Sequence, residues 1–105
     1  MNGTFLRFYM HENAKHHHQL LYAWLLQHAK ELGVHGGSAF RAIEGFGRHG
    51  VLHVQHFFEL LGEMTVEVEF VLTNEMADRL LESLRQEQVS IVYARTPVEF
   101  GVTGE

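Results

Sequence analysis

A chain of 105 residues, 46% apolar and 20% charged, is sized for one folded domain over residues 1–105 with a single core, and its near-average composition argues against a disordered chain. Its net charge of −5, with only 8 lysines and arginines, argues against a nucleic-acid partner. The lack of cysteine excludes disulfides, cysteine-ligated zinc and a thiol nucleophile.

Neither a signal sequence nor membrane insertion is expected. The start Met1-Asn2-Gly3-Thr4 has no basic residue, and the longest apolar run, Leu20 to Leu26, is too short to span a bilayer. A cytoplasmic home is the expectation. The unusual count is 9 histidines, whose protonation would carry the net charge towards zero near about pH 6 to 7.

Residues 4 to 11, "TFLRFYMH", alternate as a strand, with Leu6, Phe8 and Met10 on one face and Phe5, Arg7 and Tyr9 on the other. Asn13 suits an N-cap, and a helix is expected after it with Leu20, Leu21, Trp24, Leu25 and Leu32 as its stripe. Tyr22, Leu26 and Ala29 add a second apolar strip, and Gly33 stands where a left-handed C-terminal residue is wanted. Ser38 to Glu44 reads as a second strand, and Val51 to Phe58 alternates again. Met64 to Leu72, "MTVEVEFVL", is the cleanest strand, apolar on one side and carrying Glu67 and Glu69 on the other. Thr73 or Asn74 caps a second helix, Glu75 to about Glu87, that buries Met76, Leu80, Leu81 and Leu84. Val89 to Arg95 forms the last strand, which Pro97 is expected to end.

The order β-α-β-β-α-β is that of the α+β, ferredoxin-like fold, an antiparallel sheet with two helices on one face. The other sheet face would be bare, with Phe5, Tyr9 and Ile43 as candidates to sit on it. Oligomerisation is the usual way to cover such a patch.

"GGSAFRAIEGFGRHG", residues 36 to 50, carries the densest functional signal. Gly45 and Gly47 free the backbone on either side of Phe46. The exposed amides, with Arg48 and His49, could line a concave anion site. A plain hairpin or bulge at a strand end explains the glycines equally simply. "EGFGRHG" (44–50), following a helix that ends in glycine and a short strand, resembles the PII nitrogen-regulatory superfamily. Within it the match is to a PII-like family of unknown function, and it extends through "MTVEVEFVLTNEMADRLLESL".

The resemblance implies a ferredoxin-like subunit in a homotrimer whose sheets face a central axis. It also implies ligand clefts between subunits, an adenine nucleotide among the candidate ligands, and a signalling segment, the T-loop, that docks on a protein target. Its ligand-binding residues map here to Arg41 and Glu44 on the preceding strand and to Gly45, Phe46, Gly47 and Arg48, and His49 joins them from the anion-site reading above. Two departures stand out. "LRQEQVSI" (84–91), before the last strand, has neither glycine nor lysine, so the phosphate-cradling loop of PII proper is missing. The T-loop-like segment, Arg48 to Glu63, contains no tyrosine, which leaves uridylylation unsupported.

"HHH" at 16–18, after Lys15, is expected in the first turns of the first helix, either as part of an anion site or as a solvated helix start. His49, His53 and His56 raise a metal question, but one chain does not supply a converging set. A metal-binding trimer, similar in architecture to the divalent-cation tolerance proteins, is therefore one rival reading. A ligand-free interaction module is the other. Ser38, Ser83 and Ser90 lie in no nucleophile motif, and no enzyme is expected.

Overall fold

The computed structural model describes residues 1–44 and 65–104. In chain order the elements are β1 (Asn2–His11), β2 (Lys15–His16), β3 (Gln19–Leu20), α1 (Leu21–Leu32), β4 (Ser38–Arg41), β5 (Thr65–Leu72), α2 (Asn74–Gln86) and β6 (Val92–Glu99). Four strands form one antiparallel sheet in the order β4-β5-β1-β6, and β2 and β3 form a separate two-stranded hairpin. This is an α+β architecture with the ferredoxin-like strand order. The expected strand over Val51–Phe58 lies outside the described residues.

Alternation sets the two sheet faces. Leu6, Phe8 and Met10 of β1, with Val66, Val68, Phe70 and Leu72 of β5, are buried on the helix side. They pack with Leu21, Trp24, Leu25 and Ala29 of α1 and Ala77, Leu80, Leu81 and Leu84 of α2 in one cluster. Phe8 and Phe70 meet edge to face at 6.0 Å between centroids. On the opposite face stand Phe5, Arg7 and Tyr9, half-buried, beside Glu67 and Glu69. Phe40 and Val71 there are 53% and 46% exposed. Phe5 and Tyr9 therefore sit on the open face, as expected. Ile43 lies past the end of β4 and is fully exposed.

Helix α2 begins as its sequence dictates, with the Thr73 hydroxyl accepting from the Met76 N–H at 3.2 Å. Helix α1 ends at Gly33, whose φ of 109° is the left-handed cap, and the Val34 N–H closes the turn on the Ala29 carbonyl at 3.0 Å.

The start of α1 corrects the expectation. The helix begins at Leu21, with Leu20 and not Asn13 at the cap position, and no side chain caps it. Residues 15–20 are spent instead on the β2–β3 hairpin. There His17 and His18 both take positive φ, 51° and 67°, as the two central residues of a tight two-residue turn do. The Leu21 N–H then bonds back to the Ala14 carbonyl at 2.7 Å. The three histidines consequently do not stand in a helix's first turns.

Two strand ends also differ. Strand β4 stops at Arg41, so Glu44 is not on it. Strand β6 runs through Pro97, which pairs with Thr4. Met1 and Phe100 exchange both of their backbone hydrogen bonds. Counting along the antiparallel register, Thr4 and Pro97 form a non-hydrogen-bonded pair, and the missing N–H of Pro97 costs the ladder nothing. No helix among the described residues is long and apolar enough to cross a membrane.

Candidate functional site

Strand β4 carries the glycine-rich stretch up to the sheet edge. A side chain at Gly37 would collide with the Phe70 ring, so only glycine lets the chain enter β4 this close to the core. The strand pairs with β5 as far as Arg41↔Val66, and the Ala42 N–H adds a bond to the Thr65 carbonyl at 2.8 Å. Ala42 and Thr65, on either side of the intervening sequence, are therefore held together by one backbone hydrogen bond. The intervening segment contains the whole of the T-loop-like stretch.

Arg41 stands at that point. Its guanidinium Nε lies 2.9 Å from Glu12 Oε2, and its side chain is 58% exposed. Glu12 follows directly on β1, so the end of the central strand orients the cation through its Nε. Glu44 is exposed beyond the strand end. Gly45, Phe46, Gly47, Arg48 and His49 lie outside the described residues, as do His53 and His56. Of the candidate ligand-binding residues, the structure thus places Arg41 and Glu44, three positions apart at the mouth of the segment.

The open sheet face carries a second polar group of residues. The Arg7 guanidinium lies 4.4 Å from the Phe5 ring centroid. A hydrogen bond with Tyr9 holds Arg7 above its ordinary arginine range, while burial pushes the Tyr9 hydroxyl up. Glu69, the register partner of Arg7, is pushed up to about 7, first by its hydrogen bond with Glu67 and then by burial.

A groove of about 510 Å³ opens at the other end of the sheet, beside Thr4, Asn74 and Arg95. The Thr4 hydroxyl donates to Asn74 Oδ1 at 2.7 Å and accepts from Arg95 at 3.2 Å, and Arg95 also bonds Asp78 at 3.0 Å. These residues come from three distant stretches of chain, and no motif in the sequence marks them. The same holds for Glu87, which closes on His16 and His17 at 3.9 and 3.7 Å. Only the histidine run itself signalled that region.

Residues 3–99 match the family DUF190, described as Uncharacterized ACR. A UPF0166 protein of Aquifex aeolicus is 32% identical over 80 residues, 76% of each chain. Among solved structures, a putative PII-like signaling protein from Thermus thermophilus aligns with a TM-score of 0.60 at 21% identity, over 92% of this chain and 87% of its own. CPII from Thiomonas intermedia, a nitrogen regulatory PII-like protein solved with ADP, AMP and bicarbonate, aligns at 0.59 and 19%, over 97% and 96%. At these identities the two solved proteins establish a shared fold. With its sheet order, its helix pair and a family match over nearly its whole length, the chain belongs to the DUF190 family and has the PII-like fold.

Proposed function

We propose that the protein is a cytoplasmic, non-enzymatic PII-like regulator that binds a small anionic ligand at clefts between the subunits of a homotrimer. An adenine nucleotide is the leading candidate. The ligand would set the shape of the segment from Arg48 to Glu63, and that segment would engage a protein target. The observation that carries this reading is Arg41. Its guanidinium is oriented by Glu12 and half-open to solvent, at the point where the Ala42–Thr65 bond ties both ends of the segment to the sheet. An anion bridging Arg41 and Arg48 would couple its own presence to the path of the chain between them. Gly45 and Gly47 would permit both backbone states, with Phe46, His49 and Glu44 completing the cleft. The nucleotides and bicarbonate bound by the like-folded CPII support the ligand class.

The open sheet face supports the assembly. Phe5, Tyr9, Phe40 and Val71 present apolar surface there, with Arg7, Glu67 and Glu69 among them. A second and third copy would cover it, the common solution for an unpartnered sheet face.

Two measurements test the reading. Light scattering on the eluting protein should report three chains, and a monomer at working concentrations would defeat the inter-subunit cleft. Calorimetric titration with ATP, ADP, AMP, cyclic AMP and bicarbonate should give saturable heat with at least one nucleotide, weakened roughly tenfold or more by Arg41→Ala or Arg48→Ala. Silence across the panel favours an interaction module without a ligand, and affinity unchanged in both variants would place the ligand away from Arg41 and Arg48.

A further inference from the structure

Two histidines and a glutamate converge where the β2–β3 hairpin lies against the C-terminal end of α2. The donor atoms of His16, His17 and Glu87 all fall within 4.8 Å of one another. The individual separations to Glu87 Oε2 are 3.9 Å from His16 Nε2 and 3.7 Å from His17 Nε2. The set is pre-positioned by aromatic packing. His16 stands edge-on to Trp24 at 4.3 Å between centroids and to His17 at 4.0 Å. Trp24 in turn stacks on His28 at 4.7 Å, and a ring nitrogen of His28 lies 2.9 Å from Ser83 Oγ on α2.

A second observation points to a ligand. The Nε2 atom of His16 is shielded from solvent and has no hydrogen-bond partner. A buried ring nitrogen left unsatisfied is costly, and a bound ion would remove that cost. Glu87 caps α2 at its C-terminal end, where the helix dipole is negative and favours a cation.

We propose that His16, His17 and Glu87 form a binding site for a first-row divalent transition ion, with Zn²⁺ as its representative. Two imidazoles and one carboxylate are a donor set that suits such ions. Ligand atoms around a tetrahedral zinc lie about 3.3 Å apart, so the two gaps to Glu87 need to close by about half an ångström and the two imidazoles, within 4.8 Å of each other, by up to about 1.5 Å. Glu87 and His17 are exposed enough to make that adjustment by rotation. Three protein ligands leave a position for water or a further donor. The bound ion would clamp the hairpin to α2 and stabilise the folded chain by mass action. None of its three donors is among the residues proposed for the nucleotide cleft.

The test uses the full chain, prepared without an affinity tag and stripped with chelator. It is titrated with Zn²⁺ by calorimetry and with Co²⁺ by visible absorption. The expected result is one equivalent of metal per chain, with Zn²⁺ raising the thermal midpoint. His17→Ala and Glu87→Gln should each weaken Zn²⁺ binding at least about tenfold and suppress the thermal shift. Because both side chains are exposed, these variants should keep the wild-type circular dichroism spectrum. A His49→Ala/His53→Ala/His56→Ala variant should bind as the wild type does. No uptake by the wild type, unchanged affinity in both single variants, or loss confined to the triple variant would each overturn the assignment.

Discussion

Glu69 and Glu67 stand two residues apart on the open face of β5 and share a hydrogen bond that raises Glu69 to about 7 from its ordinary 4.5. Two carboxylates bond in this way only when one keeps a proton. The folded state therefore holds a proton that the unfolded chain releases at lower pH. This contribution to stability is complete below about pH 4.5 and is lost as pH rises through about 7. Its size is about 1 kcal/mol or less in the single chain, where both carboxylates are partly exposed. Urea unfolding of the wild type and of Glu69→Gln should show a difference in stability that changes between about pH 5 and about pH 8. A pH-independent difference would show that no shared proton exists.

Gly3 and Gly101 give opposite outcomes for the same substitution. A side chain at Gly3 would collide with the Leu72 carbonyl oxygen, whereas nothing approaches Gly101 within 4 Å. Gly3→Ala should lower stability by about 1–3 kcal/mol and Gly101→Ala should change it by under about 0.5 kcal/mol, both read from denaturant midpoints.

Thr73→Ala should cost about 1 kcal/mol, since the Thr73 hydroxyl is the side-chain cap of α2. Thr73→Ser, which keeps an acceptor there, should recover most of it. Thermal unfolding followed at a helix wavelength measures both.

The Arg41–Glu12 pair separates ligand binding from stability. The pair is half-exposed, so Glu12→Gln should shift stability by under about 1 kcal/mol. If Glu12 orients Arg41 for an anion, the same change should weaken nucleotide binding several-fold in calorimetry. Equal affinity in wild type and Glu12→Gln would remove that positioning role.

Much of this fold was legible in particular stretches. In Val66 to Leu72 and Leu6 to Met10 every second residue is apolar and buried because each strand has one face on the core. The observed faces are the expected ones, with Val66, Val68 and Phe70 opposite Glu67 and Glu69. Gly33 and Thr73 announced their helix ends for local reasons that need no tertiary context. Asn13 misled because capping preference is local, whereas the hairpin at Lys15–Leu20 depends on Trp24 and the distant Glu87 to receive its histidines. Pro97 misled for a related reason. Whether a proline breaks a strand depends on the strand's place in the sheet, and β6 lies at the edge. At the candidate site, Arg41 was legible from its motif, while its partner Glu12 was not, because only the fold brings the end of β1 to the end of β4.

Pro97 has a consequence for how the molecule meets its own kind. The outer margin of β6 would otherwise offer a continuous row of amide donors to any extended peptide. At Pro97 that row is interrupted, and a foreign strand laid along the margin finds no donor midway. Runaway end-to-end growth of the sheet into fibrils is thereby discouraged at this border by a single imino acid.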